Sequence, residues 1–182
     1  MSKAAIFFVE DFEEAEAVTP TDILRRGNVT ADTVSLTGNK TVTGSHGIKL
    51  ICDKLFEEIS VASYDMLVLP GGPGTESYML REDFLRLIRE AAKSGVKIGA
   101  ICAAPSILGR LGLLKGKKAV CYPGYEKYLE GADVLTENAV TDGNITTSRG
   151  MGTAADFGFE LLEILEGTEM KNKIKSAVVY PR

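Results

Sequence analysis

The stretch Val96-Lys-Ile-Gly-Ala-Ile-Cys102-Ala-Ala-Pro-Ser-Ile-Leu108 decides the fold. Residues 96–101 form a short apolar run of strand length, and residues 105–111 read as a short helix. A cysteine stands at the junction, with Ala100 and Ala104 two residues to either side. A chain that turns sharply from strand to helix folds back on itself, needs small neighbours there, and presents the side chain at its tip. The same turn aims the first N–H groups of the helix at the sulfur, which favours thiolate over thiol. The pattern predicts a sparsely occupied backbone conformation at Cys102 and a thiol that ionises below the ordinary range. On the residues alone, a small buried hydrophobe at a strand end is the competing reading.

Similar strands recur before this stretch. Residues 4–9 read as a buried strand, 30–35 as a second, and 64–70 as a third that stops at Gly71-Gly72-Pro73-Gly74. Residues 13–26 carry Ala17, Val18, Thr21 and Leu24 at helical spacing, and residues 84–94 carry Leu85, Ile88, Ala91 and Ala92. Gly27-Asn28 ends the first helix, and Pro20 is expected to kink it or mark its start. A hairpin is expected over 42–52 with its turn near Gly44-Ser45, and a further strand over 119–121. Asp142-Gly143 signals a second hairpin between 139–141 and 145–148. Thr153 with Asp156 three residues on resembles a capping box for a helix to Glu166, and 171–176 reads as a last short helix. Apolar strands alternating with amphipathic helices predict an α/β chain, a three-layer sandwich doubly wound around a mostly parallel sheet. Ligands in such folds sit beyond the carboxyl ends of strands, so the candidate site follows Val9, Leu69 and Ile101.

At 182 residues the chain fits one domain, and no linker, repeat or low-complexity tract divides it. Its 45% hydrophobic and 25% charged residues exclude a disordered or collagen-like chain. A net charge of −4 leaves no excess of Lys and Arg for non-specific nucleic-acid binding or for anionic membranes. No apolar run approaches the ~20 residues of a membrane helix. Met-Ser-Lys leads into a strand without a signal peptide's apolar region and cleavage site. Three widely spaced cysteines, Cys52, Cys102 and Cys121, do not read as a secreted disulfide framework. The expectation is a cytoplasmic protein without a cofactor. One histidine and scattered cysteines give no metal-ligand spacing.

Two further elements bear on chemistry. The glycine-rich turn at 71–74 follows a strand and exposes backbone N–H groups that can hold an anion or a developing oxyanion. It is not a phosphate-binding loop, because no Gly-Lys-Ser/Thr follows at the required distance, and residues 109–117 fail the same spacing. A tight loop without a ligand is the competing reading. The second element, Glu13-Glu14-Ala15-Glu16, follows the first strand. Acids in a first helical turn are stabilising there and ordinarily solvated. One that points inward can, when protonated, donate a hydrogen bond to a cysteine sulfur.

Four stretches in order carry a resemblance: Glu13-Glu14-Ala15-Glu16-Ala17-Val18-Thr19-Pro20-Thr21-Asp22, Leu69-Pro70-Gly71-Gly72, Ala100-Ile101-Cys102-Ala103-Ala104-Pro105, and Thr147-Ser148-Arg149-Gly150-Met151-Gly152-Thr153. Together they resemble the ThiJ/PfpI superfamily, in its DJ-one branch, nearly end to end. The resemblance implies a flavodoxin-like fold of the class I glutamine amidotransferase type, a single domain over 1–182, and a homodimer. It implies that Cys102 is the reactive, oxidisable cysteine, that Glu16 hydrogen-bonds to it, and that Gly72 with the N–H of Ala103 stabilises an anion. Gly71, Tyr122 and Arg149 would line the site, with the 147–153 stretch near the dimer partner. Two departures matter. Ala103 stands where hydrolase-type members carry histidine, and Tyr122 stands where another branch carries one nearby. His46, the only histidine, lies on the first hairpin and reads as an exposed loop or interface residue. A cysteine–histidine dyad of protease type is therefore not expected. Cys52 and Cys121 are expected to be structural.

For function, the resemblance implies a cysteine-dependent stress-response protein with two readings. In the first, cofactor-independent glyoxalase III-like or deglycase-like chemistry acts on methylglyoxal or its adducts. The Cys102 thiolate adds to the aldehyde, Glu16 shuttles the proton, and Gly72 and Ala103 steady the oxyanion. In the second, a redox sensor or chaperone oxidises Cys102 to sulfinic acid, and Glu16 holds the oxidised sulfur. A flavin or nucleotide binder suits the fold but not the loops.

Overall fold

The computed structural model describes residues 1–181. Strand β1 (Lys3–Phe8) leads into helix α1 (Glu14–Arg26), β2 (Thr30–Ser35), the hairpin of β3 (Thr41–Thr43) and β4 (Lys49–Ile51), and the edge strand β5 (Lys54–Leu55). Then follow β6 (Met66–Leu69), α2 (Glu82–Ser94), β7 (Lys97–Ile101) and α3 (Pro105–Arg110). The chain ends with β8 (Lys118–Ala119), β9 (Asp133–Val134), β10 (Ala139–Asp142), β11 (Ile145–Ser148) and α4 (Ala154–Ala177).

The main sheet runs in the order β10-β11-β7-β6-β1-β2-β5. Neighbours pair in parallel except β10, which is antiparallel to β11. Burial on both faces explains the apolar strands. Ala5 and Phe7 of β1 join one layer with Leu67, Leu69, Ile88 and Ile107, whereas Ala4, Ile6 and Phe8 join the other with Leu24, Phe157 and Leu161. A strand covered on both sides is apolar at successive positions rather than at alternate ones. Helices α2 and α3 supply the first layer, and α1 and α4 the second. The result is the expected three-layer sandwich. Because β1, β6 and β7 are adjacent and parallel, the loops after them meet at one edge of the sheet. Among the described residues, no helix is long and apolar enough to cross a membrane.

Several local expectations change in three dimensions. Helix α1 runs through Pro20 without a break. Pro20 is buried, and α4 packs directly on it: a Cβ on Gly158 would lie 3.0 Å from the Pro20 Cα. The helix stops at Gly27 with φ −81°, and Asn28 takes the left-handed turn instead, at φ 64°. The strand expected over 119–121 is Lys118–Ala119, and it pairs with β9 outside the main sheet. Residues 44–48 connect β3 to β4, so the first hairpin is present with a longer turn. Thr153 stands before α4, but its hydroxyl donates to the Gly150 carbonyl (2.9 Å) and accepts from the Gly150 N–H (3.1 Å). Asp156 is held by Asn138 and Tyr180. The capping box is thus replaced by a tight turn and longer-range bonds. Helix α4 is interrupted at Gly167 (φ 86°), which separates the segment expected over 171–176.

Candidate functional site

Cys102 sits where β7 ends, with φ 65°. This left-handed conformation is costly for a residue with a Cβ and persists only when its surroundings over-determine it. Here they do. The Cys102 N–H donates to Ser148 O (3.0 Å), its carbonyl accepts from Tyr122 N–H (2.8 Å), and the Ala104 N–H returns to Ile101 O (3.0 Å). Ala100 and Ala104 are fully buried beside it. The turn predicted from the small-residue pattern is therefore present.

Glu16 reaches the same place from the start of α1. It is 1% exposed, and the Gly71 N–H donates to its Oε2 (3.1 Å). The Cys102 thiol and the Glu16 carboxyl face each other across Gly71, close enough for each to shift the other's titration. Gly71 makes that approach possible: a Cβ there would lie 2.7 Å from the Cys102 Cβ and 2.7 Å from Glu16 Oε2. Gly72 adopts φ 107°, and a Cβ on it would lie 2.4 Å from the Glu13 nitrogen. In that conformation the N–H groups of Gly72 and Ala103 both serve the Cys102 sulfur.

The electrostatics depart from the simple expectation of an acidic thiol. Burial pushes the Glu16 carboxyl up to about 7, although Cys102 and the Gly71 N–H pull it down. Burial, and then the charge of an ionised Glu16, push the Cys102 thiol up, against the lowering effect of the Ala103 and Gly72 N–H groups. The helix that follows has six residues, so few peptide dipoles align behind the sulfur. Two adjacent buried anions are costly, so the pair keeps a proton between them. Near neutrality the sulfur therefore keeps its proton while Glu16 exchanges its own, and the pair carries at most one negative charge.

A cavity of about 540 Å³ opens beside this pair. Its wall includes Cys102, Glu16, Gly72, Ala103 and Tyr122, all named from sequence, together with Glu13, His46, Pro73, Tyr125 and Met151. Gly71 sits between Glu16 and Cys102 rather than on the wall. Arg149, expected to line the site, instead extends toward the Thr136 carbonyl (3.4 Å), which gives its guanidinium a polar partner outside the cavity.

Glu14 differs from the solvated first-turn acid that its position predicts. It is buried rather than solvated, and accepts from the His46 and Ile48 N–H groups (2.8 and 3.4 Å). His46 Nδ1 lies 2.9 Å from Glu14 and 3.6 Å from Glu13, and Glu14 in particular raises the His46 pKa. Glu13, Glu14 and His46 thus place donor atoms within 4.8 Å of one another, which no sequence spacing revealed. Their approach depends on the first hairpin folding back, through Asp11 N–H to Thr43 O and Ser45 N–H to Phe12 O (both 2.9 Å). Cys52 and Cys121 are buried, with thiols pushed up to about 12 and about 11 by burial, in keeping with structural roles.

Two outcomes follow from this geometry. Cys102→Gly is expected to be more stable than Cys102→Ala by about 1 kcal/mol, because glycine occupies positive φ without strain. Urea denaturation would show it, and an Ala variant as stable as the Gly variant would contradict the strained turn. Glu16 titrates near 7 in the fold against 4.5 when unfolded, so the folded state holds the extra proton between these values. Stability contributed at low pH is therefore lost as pH rises through that window, by roughly 3 kcal/mol. Glu16→Gln should lack this fall, and equal pH slopes in the two proteins would contradict it.

The model of the DJ-1/PfpI family matches residues 2–164. Protein DJ-1 homolog B of Arabidopsis thaliana is 35% identical over 169 residues, which is 92% of this chain and 39% of the relative. The chain spans less than half the length of that protein and of its homolog A. A glutathione-independent glyoxalase, DJR-1.2 of Caenorhabditis elegans, is 32% identical over 91% of this chain and 89% of its own. A deglycase of Pyrococcus abyssi is 29% identical over 90% and 99%. The crystal structure of Drosophila melanogaster DJ-1beta superposes with a TM-score of 0.95 at 30% identity, covering 100% of both chains. With the parallel sheet, the cysteine at its strained turn and the match over most of its length, the chain belongs to the DJ-1/PfpI family.

Proposed function

We propose that this protein is a cofactor-independent glyoxalase or deglycase that uses Cys102 and Glu16 on methylglyoxal or its adducts. The observation that carries this reading is a buried carboxyl, raised to about 7, facing a cysteine that two backbone N–H groups serve. A group that exchanges its proton near neutrality suits general acid–base work. Similarity to a glyoxalase and a deglycase supports the reaction class.

With methylglyoxal, the Glu16 carboxylate takes the Cys102 thiol proton as the sulfur forms a bond to the aldehyde carbon and the carbonyl electron pair moves to oxygen. The Gly72 and Ala103 N–H groups stabilise that oxygen, and Glu16 protonates it. The Glu16 carboxylate then removes the hydrogen from the same carbon as a proton. The electron pair passes to the neighbouring ketone carbon, which takes the proton back. The hydroxyl proton on the first carbon passes to the ketone oxygen, so one carbon is oxidised to a thioester while the other is reduced to an alcohol. Water cleaves the thioester, releasing a 2-hydroxy acid and the thiol.

The test is methylglyoxal consumption by wild type, Cys102→Ala, Glu16→Gln and Cys52→Ser. Turnover is expected to vanish in Cys102→Ala, to fall at least tenfold in Glu16→Gln, given ~10²–10⁴-fold for acid–base groups, and to persist in Cys52→Ser. Turnover that survives in Cys102→Ala would overturn the reading. A second reading, a redox sensor or chaperone, is favoured by one feature: Cys102 is partly exposed, whereas Cys52 and Cys121 are buried. A wild type without turnover whose Cys102 alone gains two oxygens under mild peroxide decides for the sensor.

We also propose a cytoplasmic, single-domain protein that forms a homodimer. Free thiols at all three cysteines suit a reducing compartment. Val18 on α1 and Ile48 and Ile51 on the hairpin are exposed apolar side chains that a second copy would cover. Sedimentation velocity is expected to give twice the chain mass, with Ile51→Glu shifting it to monomer; a wild-type monomer at micromolar concentration would refute the dimer.

A further inference from the structure

The following inference rests on the aldehyde reading above and concerns the substituent that the aldehyde carries. A cavity of about 540 Å³ is of the size that buries a drug-sized ligand, and a three-carbon dicarbonyl fills little of it. Beyond Cys102, Glu16 and the two backbone donors, the wall holds the apolar faces of Pro73, Tyr122, Tyr125 and Met151, together with Glu13 and His46. Tyr122 is 50% exposed and Met151 59%, so large apolar surfaces face the opening rather than the core.

This wall is fixed in place. The Tyr122 N–H is bonded to the Cys102 carbonyl, so the residue is tied to the nucleophile's own backbone. Its ring lies over Gly150: a Cβ there would be 3.3 Å from Tyr122 Cδ2 and 3.8 Å from Glu16 Oε1. The Tyr125 ring meets Tyr122 edge to face, with centroids 6.4 Å apart at 77°. Tyr125 in turn meets Tyr128 at 5.8 Å, and the Arg110 guanidinium, paired with Glu76, sits 4.3 Å above the Tyr128 ring. A braced row of rings cannot collapse onto a small substrate, so its surface leaves water when a flat apolar group covers it.

We propose that Tyr122 and Tyr125 form a recognition wall beside Cys102, and that the substrate class is α-oxoaldehydes bearing an aryl or similarly flat apolar substituent. The contact is made by the ring faces, not by the hydroxyls.

Phenylglyoxal and methylglyoxal share the reacting group and differ in the substituent. Tyr122→Ala is expected to lower the phenylglyoxal-to-methylglyoxal ratio of kcat/KM about tenfold, mainly through the phenylglyoxal KM, and Tyr122→Phe to keep it. A second readout needs the sulfur alone: alkylation of Cys102, in which the sulfur displaces iodide, by iodoacetanilide relative to iodoacetamide. In wild type this ratio is expected to exceed that of glutathione about tenfold, to fall to the glutathione value in Tyr122→Ala, and to hold in Tyr122→Phe. Tyr125→Ala repeats the comparison should Tyr122→Ala fold poorly. Alkylation selectivity without aldehyde turnover overturns the aldehyde reading and supports the wall. Ratios equal in wild type and Tyr122→Ala, or lost equally in Tyr122→Phe, overturn the wall.

Discussion

The proton held between Glu16 and Cys102 is the constraint around which the rest of the site is arranged. Glu16 is buried and Cys102 nearly so; burial raises both, an ionised Glu16 raises the thiol further, and the thiol in turn favours the carboxylate. One proton between them avoids a buried pair of charges while leaving a nucleophile within reach. Side chains cannot come this close with ordinary backbone between them. Gly71 has no Cβ to separate them, and Gly72 turns through positive φ so that its N–H serves the sulfur. The strained backbone of Cys102 belongs to the same arrangement, because a relaxed helical turn would direct the sulfur elsewhere. Local strain and a proton held at an unfavourable carboxyl both cost stability. The apolar layers on the two faces of the sheet offset that cost.

The parallel sheet brings these groups together. β1, β6 and β7 end side by side, and each contributes one element: the acid-bearing helix, the glycine turn and the cysteine. Two additional attachments complete the cavity. Burial alone would raise the Glu14 carboxyl, but the His46 side chain and the His46 and Ile48 backbone N–H groups bring it down to about 2. This charged anchor fastens the first hairpin to the beginning of α1 and sets His46 at the rim. The Tyr122 N–H does the corresponding work for the segment after α3, fastening an aromatic row to the carbonyl of Cys102. Neither attachment contributes to the core, and both shape what the nucleophile can meet.

The departures from local reading share one cause. Pro20 stays in a continuous helix because α4 packs on it. Thr153 abandons the helix cap because Gly150 offers its hydroxyl a donor and an acceptor in a tight turn. Arg149 leaves the site for the Thr136 carbonyl, and Glu14 leaves solvent for two N–H groups of a distant hairpin. In each case a partner remote in sequence, or a turn that the local pattern does not encode, outweighs a preference of at most about 1–2 kcal/mol.

The sequence by itself determined the three-layer class, the strand ends at Leu69 and Ile101, and the cysteine. Apolar runs of strand length, amphipathic spacing and small residues around Cys102 are local signals, and burial on two faces of a parallel sheet leaves them little alternative. Glu16 was distinguishable from Glu13 and Glu14 through the family motif, since all three are acids in one turn. The tertiary structure decided which acid points inward, how the thiol and carboxyl share a proton, and that His46, Tyr125 and Met151 border the cavity. Proton sharing depends on separations of a few ångströms and on exclusion of water, and those exist only once chain segments remote in sequence have packed together.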